Sequence, residues 1–385
     1  LSASAPGPRT GPHSRQHRSF TRRGILRSVL GGAASLPFLA RNRAFATDPQ
    51  DAFLIHAAST SVLAGDVVAP TLIIAGNTGT GPARWAPLLA PALQTALPAH
   101  APINLRPVAG QDGVTGANLF DSQTGGTALL ISGSAVIAAL CGDSRVHFDY
   151  QRWIPVFLAS GAPVVVGRLE FKRSLRAFFQ NHPVRVAVTS PTGIELPTLL
   201  ALTMLSMNVI PVSGLATSEA SLAALRKGTV DAVQLPPQVA TPETLAALKA
   251  EGFEILFSHA TCTGDMDLDF TRRPDIVRQH VERHPLFPAY QATAHAAALD
   301  AALVLQMLTA PASAALWRHA SQMTAEQAAV QATARTNHLN VVASADISGF
   351  YSQLTPELSG ILALRRWIAL NSPFWPTGQT APPVR

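Results

Sequence analysis

Short unbroken runs of apolar and β-branched residues recur along this chain, each closed by glycine or hydroxyl residues and followed by a helical spacing. No other feature constrains the fold as strongly. Thr71-Leu72-Ile73-Ile74 ends at Ala75-Gly76-Asn77-Thr78-Gly79-Thr80, after which Pro82 suits a first helical turn and Trp85, Leu88, Leu89 and Leu93 recur at helical spacing. Pro87 and Pro91 each remove a helical donor and count against that helix. Residues 103–106 and 128–131 repeat the strand pattern, the first followed by a glycine-rich loop at 108–116, the second by Ser132-Gly133-Ser134. Continuous apolar runs describe parallel strands covered on both faces, whereas a half-solvated sheet would alternate. The sequence predicts an α/β protein.

A second module begins near Arg152. Its strands fall at 163–166, 184–188, 209–212, 232–233 and 254–257, with helices at 174–180, 196–207 and 219–227 between them. From Tyr290 through Leu308, and again over 313–335, the chain turns alanine-rich and reads as helix. Residues 340–344 read as a strand returning to the first module, and 357–370 as a closing helix with Ile361, Leu364 and Trp367 on its apolar side.

Thr21-Arg22-Arg23-Gly24-Ile25-Leu26-Arg27 reads as a twin-arginine export signal, followed by an uncharged run from Ser28 to Ala40 and a small-x-small cleavage site at Ala44-Phe45-Ala46. The expected destination is the periplasm, reached already folded by way of the twin-arginine translocase. The signal changes the charge balance. Eight of the 29 basic residues and none of the 23 acids precede position 47, so the remainder holds 21 bases against 23 acids, a balance of −2. That sign gives no reason to expect nucleic acid as a partner. About 340 residues follow the signal, enough for two domains. The two cysteines, Cys141 and Cys262, form no disulfide framework and read by default as small buried hydrophobes.

Two strand-loop-helix units hold the residue types of a binding site. One is the loop Gly76, Asn77, Thr78, Gly79; the other is Thr189, Ser190, Pro191, Thr192, Gly193, before a helix from Ile194. Backbone N–H groups at a helix start lack partners, and the helix dipole favours negative charge there. Glycine permits close approach and the hydroxyls add donors. Without Lys or Arg, such loops suit a carboxylate rather than a polyphosphate. Ordinary capping by Ser and Thr explains the same residues. Enzyme signatures are weaker. The Gly76, Gly79, Gly81 spacing reverses that of a dinucleotide loop, no P-loop lysine or Gly-x-Ser-x-Gly elbow occurs, and the Asp265–Asp269 alternation lacks the turn glycine of a calcium loop. No catalytic residue, metal ligand or cofactor is assigned.

The order of the pieces resembles the tripartite tricarboxylate transporter substrate-binding family, the Bug-type receptors. Residues 75–80 with Ala83-Arg84 resemble its first loop; Arg106–Gly116, Gly125–Ser134, Phe148-Asp149, Trp153–Val156, Ala187–Gly193 and Leu225–Ala232 follow in the family's order over roughly 70–275. Asn77, Thr80 and Gln111-Asp112 depart from its pattern. The resemblance implies a two-lobed type II periplasmic binding protein fold with a ligand cleft between the lobes. Lobe I would hold 47–155 and 286–385, and lobe II 156–285. A small carboxylate would meet Gly76, Asn77, Thr78 and Gly79 on one lobe and Thr189, Ser190, Thr192 and Gly193 on the other. Ser132, Gly133 and Ser134 would line the same mouth, and Asp231 matches a family position that serves either ligand or fold. The implied role is a non-catalytic receptor for a membrane transporter or sensor. An exported α/β enzyme with a cofactor loaded before export is the rival class, and a receptor-like domain that has lost its ligand a third.

Overall fold

A computed structural model of the chain describes residues 69–97, 102–110, 112–123, 125–168, 183–259, 266–267, 279–343 and 346–375. The signal read at 1–46, the helix read at 174–180, Gln111, Cys262 and most of the acidic 265–269 stretch lie outside the described residues. The architecture below belongs to the unit Gly65–Arg385.

Two six-stranded sheets carry that unit. The first has the order β12-β4-β11-β3-β1-β2, built from β1 (Thr71–Ala75), β2 (Asn104–Val108), β3 (Thr127–Ile131), β4 (Ile154–Ser160), β11 (Leu299–Leu305) and β12 (Asn340–Val342). Its β2, β1 and β3 are parallel, with Thr71 opposite Asn104 on one side and Thr127 on the other. The second sheet has the order β10-β9-β5-β8-β6-β7, from β5 (Val164–Arg168), β6 (Val184–Ala187), β7 (Val209–Val212), β8 (Ala232–Leu235), β9 (Phe253–His259) and β10 (Met266–Asp267). Its β7, β6 and β8 are parallel.

The continuous apolar strands are covered on both faces, as their composition requires. In β1 the strand period of two sends Leu72 and Ile74 toward Trp85, Leu89 and Leu93 of α1 (Gly81–Ala96). Ile73 and Ala75 join the opposite cluster with Ala117 and Phe120 of α2 (Val114–Asp121) and Val136 of α3 (Gly133–Cys141). This second cluster continues through Leu199 and Leu202 of α4 (Leu196–Met204) and Tyr290 and Ala294 of α7 (Phe287–Ala298) to Val165, Val186 and Leu256 of the second sheet. One apolar core thus joins both sheets, with α7 against both α3 and α4. The far face of the second sheet packs Val166, Val233 and Leu235 on Leu222 and Leu225 of α5 (Ser218–Lys227) and Leu248 of α6 (Pro242–Ala250). Each fully buried side chain of this size contributes roughly 1.5–3 kcal/mol.

Three local outcomes differ from the sequence reading. Pro87 and Pro91 lie inside α1 without ending it, because both stand on its solvent face while Trp85, Leu89 and Leu93 anchor the other. Residues 299–305 form β11 rather than helix, since pairing with β3 and β4 on either side overrides the alanine-rich local preference. The helix read over 313–335 divides into α8 (Pro311–Ala325) and α9 (Ala328–Thr336). The chain closes with α10 (Asp346–Ser352) and α11 (Leu358–Asn371). Among the described residues no helix is long and apolar enough to cross a membrane.

Candidate functional site

The C-terminal ends of β1, β2 and β3 share one edge, and the first loop turns there. Gly76 sits at φ +126°, where its N–H donates to Val108 O at 3.0 Å and a side chain would meet Thr80 Oγ1. Thr80 donates to Asn77 O from its N–H at 3.0 Å and from its hydroxyl at 2.8 Å. Asn77 Oδ1 accepts from Gly110 N–H at 3.1 Å, fastening this loop to the glycine-rich one after β2. Asn77, Thr78 and Gly79 are exposed. Among the described residues nothing accepts from the N–H of Thr78 or Gly79 or from the Thr78 hydroxyl. The first turn of α1 contains no acid of its own, and the carboxylate that packs against it is that of Asp300, held by Arg84 and Trp85.

At the end of β3, Ser132 caps α3 by position but makes no side-chain capping bond, and Ser132 and Ser134 are half-buried. Gly133 does something else. A Cβ there would overlap the Ala296 carbonyl, so Gly133 lets α3 lie flush against α7 and is closed off from solvent.

Asp300, at the head of β11, links the two sheets. Its Oδ1 accepts from Arg84 Nη2 at 2.7 Å and from Gln238 Nε2 at 2.8 Å, and its Oδ2 from Trp85 Nε1 at 2.7 Å. Arg84 and Trp85 belong to α1, after β1, whereas Gln238 follows β8 of the second sheet. Gly81 packs flush on the Asp300 backbone, and Gly161 lies against Pro237, also after β8. The loop-bearing ends of β1 and β8 therefore meet at one carboxylate. Because β6 is parallel to β8, the second hydroxyl loop leaves the same edge as Gln238.

That second loop holds a carboxylate of its own. Glu195 Oε2 accepts from Thr189 N–H at 3.1 Å and Oε1 from the Thr189 hydroxyl at 2.9 Å. A Cβ on Gly193 would stand 3.1 Å from Ser190 Oγ and 3.2 Å from Glu195 Oε2, so the loop packs closely over Gly193. Burial pushes the Glu195 carboxyl up to about 7, against the hydrogen bonds from Thr189 that lower it. Among the described residues the Ser190 and Thr192 hydroxyls have no partner. Asp231 is occupied elsewhere: it binds Arg185 through Nε at 2.9 Å and Nη2 at 2.8 Å and accepts from its N–H at 2.9 Å, riveting β6 to the turn before β8.

A buried polar chain supports this loop from behind. Gln234 Nε2 donates to Ile194 O at 3.0 Å, and Gln234 Oε1 accepts from the Thr198 hydroxyl at 2.6 Å. Thr198 has given its proton to Gln234, so its 3.1 Å contact with His259 must be donated by Nε2–H. His259 Nδ1 then accepts from Tyr290 OH at 3.1 Å. The histidine is neutral in this chain, in keeping with burial that lowers it to about 3. Glu195, Asp300 and Gln238 had not been singled out in the sequence. Glu195 stands just before the helix it caps, which is a readable signal. The role of Asp300 is not, since only sheet pairing brings it to Arg84.

Two surface hollows, about 370 Å³ between α3 and α11 and about 220 Å³ beside β9 and α6, contain none of the ligand-binding residues expected from the sequence. Among the described residues no cluster of three or more His, Cys, Asp or Glu could hold a metal ion.

Two α/β sheets, each with three parallel strands at one end, joined through one core and meeting at their loop-bearing ends, define the two-lobed fold of periplasmic binding proteins. The chain shares this fold with a TctC solute binding protein from Polaromonas, at 15% identity and a TM-score of 0.52, over 80% of this chain and 100% of that one. MatC from Rhodopseudomonas palustris with bound malate is similar at 15% identity and 0.47 over 81% and 98%, and the periplasmic binding protein BugD at 11% and 0.49 over 79% and 97%. The fold assignment rests on the first. No protein-family model and no curated protein matches the sequence.

Proposed function

We propose that the chain is an extracytoplasmic solute-binding receptor of the tripartite tricarboxylate transporter kind, non-catalytic and exported to the periplasm by the twin-arginine route. It takes a small organic carboxylate between the loop-bearing edges of its two sheets and presents the closed form to a membrane transporter or sensor. The observation that carries this reading is the junction at Asp300, which sets the helix start after β1 beside the loops of the second sheet. The donors left open at Thr78 and Gly79 stand at a helix start with no acid of its own in the first turn and suit the ligand's carboxylate. The open hydroxyls of Ser190 and Thr192 supply the second contact. Closure follows from differential affinity: a ligand that pairs with both edges favours the closed arrangement, whereas the open one offers a single set of donors. The hinge passes through the Ser160–Val164 connection between β4 and β5.

Calorimetry against mono-, di- and tricarboxylates of two to six carbons tests the reading. Thr78→Ala and Ser190→Ala should each weaken binding by about tenfold, the equivalent of one hydrogen bond worth ~1.4 kcal/mol. Unchanged affinity in both variants would remove these loops as the site.

A further inference from the structure

The closing helix α11 is apolar on two sides, and only one of them is packed. Gly360 and Leu364 are buried, with Gly360 against Pro288 and Ala289 of α7, and Trp367 and Ile368 pack partly on the same core. The other side carries Leu358, Leu362 and Leu370, and Phe374 extends it in the short turn Ser372–Phe374. These four side chains are between 59% and 82% exposed. Nine large apolar side chains are exposed among the described residues, so this one stretch holds almost half of them. Leu358, Leu362, Arg366 and Leu370 follow at steps of four and form one slowly turning band, about 18 Å long at 1.5 Å per residue. A helix that packs one apolar face ordinarily shows water a polar one, and a contiguous apolar patch marks a surface that something else covers.

The charge pattern narrows what that is. Residues 358–375 contain two arginines and no acid. Arg365 donates to the Leu140 and Ala139 carbonyls at the end of α3, beside the hollow that Asp143 and Asp149 border. Arg366, in the middle of the band, is exposed and has no hydrogen-bond or ion-pair partner among the described residues. Glu357, the acid before the helix, stands about 13 Å from it along the axis. A second copy of the chain, paired about a two-fold axis through this band, would bring two Arg366 guanidiniums together between apolar side chains. An anionic bilayer surface carries no such conflict, since it takes apolar side chains and meets the cation with phosphate. Leu, Phe and Trp beside Arg is the composition of a helix that lies in a membrane interface. Trp367 and Trp375, half-buried with ring centres 5.9 Å apart, stand at the Phe374 end of the band, where amphipathic rings suit the headgroup level.

We propose that this band is a peripheral membrane-docking surface. The helix lies along an anionic bilayer, with Leu358, Leu362, Leu370 and Phe374 at the acyl boundary and Arg366 among the lipid phosphates. Four apolar side chains and one free cation give reversible attachment, far short of insertion. The surface shares no residue with the carboxylate loops and stands independently of the receptor reading.

Co-sedimentation of the chain from residue 47 onward with vesicles of phosphatidylglycerol and phosphatidylcholine, beside vesicles of phosphatidylcholine alone, tests this at low salt. The wild type should partition about fivefold more strongly onto the anionic vesicles, and added salt should erase the difference. Arg366→Glu should weaken that partition by about tenfold or more, since it reverses the charge. The double variant Leu362→Ser, Leu370→Ser should do the same by removing apolar contact, while circular dichroism and Tm stay those of the wild type, because both positions are exposed. Tryptophan emission should shift to the blue on anionic vesicles in the wild type alone. Absence of partition by the folded wild type, or partition that both variants retain, overturns the proposal. So does a wild type that ignores vesicles and self-associates while the double serine variant is monomeric, which would assign the band to a second copy.

Discussion

Gln238 Nε2 lies 2.8 Å from Asp300 Oδ1, a single hydrogen bond between a loop of the second sheet and a strand of the first. Asp300 also holds Arg84 and Trp85, and its side chain is only 12% exposed. Its removal would leave three donors behind, including a guanidinium whose Nε has no partner of its own. Asp300→Ala should cost about 3 kcal/mol, the lower end for breaking a buried ion pair, because Arg84 keeps some access to water. Gln238→Ala should cost about 1 kcal/mol, since it deletes one hydrogen bond and leaves the ion pair intact. Urea denaturation of both variants separates the two figures, and similar losses for both would contradict this hierarchy.

Glycines in the candidate loops divide by what surrounds them. Gly133 abuts the Ala296 carbonyl and Gly81 the Asp300 backbone, whereas nothing lies within 4 Å of a Cβ placed on Gly79. Gly133→Ala and Gly81→Ala must push backbone apart and should destabilise by about 2–3 kcal/mol or more, the scale of overpacking in a close-packed core. Gly79→Ala should leave stability within about 0.5 kcal/mol and change ligand affinity alone. Thermal unfolding beside calorimetry distinguishes the two behaviours. Gly133 is accordingly a packing residue in a position that sequence assigned to the ligand.

The strands were legible where local pattern and tertiary demand agree. Residues 71–75 read as strand because the run is buried from Leu72 to Ala75 between side chains that the sequence supplies nearby, and 209–212 because its β-branched residues suit a half-buried edge strand. β11 was not legible, because Leu299–Leu305 has alanine-rich helical character and becomes strand only between β3 and β4, which are distant in sequence. The candidate loops were legible as helix starts with hydroxyls. What Thr189 does with its donors was not, since the choice between an outside anion and Glu195 is made by side-chain geometry.

Pro87 and Pro91 make α1 weaker than its packing allows. Each lacks an N–H and interrupts the helical ladder, yet each faces solvent and contributes little to the core. A helix-interior proline is worse than alanine by about 3 kcal/mol, part of which returns through the lower entropy it gives the unfolded chain. Pro87→Ala and Pro91→Ala should therefore stabilise by about 1–2 kcal/mol each, read as a raised Tm. A loss of stability in either would mean that the prolines help to seat Trp85 and Arg84 on Asp300.

The pH response sets two buried groups against each other. His259 is lowered by burial from 6.5 to about 3, so between those values the unfolded chain binds the extra proton and stability falls as pH falls. Glu195 is raised by burial from 4.5 to about 7, so in that window the folded chain binds the extra proton and stability falls as pH rises. Each slope is up to about 1.4 kcal/mol per pH unit, and between roughly pH 4.5 and 6.5 the two oppose each other. The contribution of this pair should be nearly flat in that range for the wild type. Glu195→Gln removes one arm, so its stability should climb with pH from about 4.5 to 6.5 relative to wild type, and His259→Gln should show the opposite tilt. Chemical denaturation at half-unit pH intervals measures both differences. Parallel curves for wild type and Glu195→Gln would mean that the carboxyl on Thr189 titrates alike in the folded and unfolded chain.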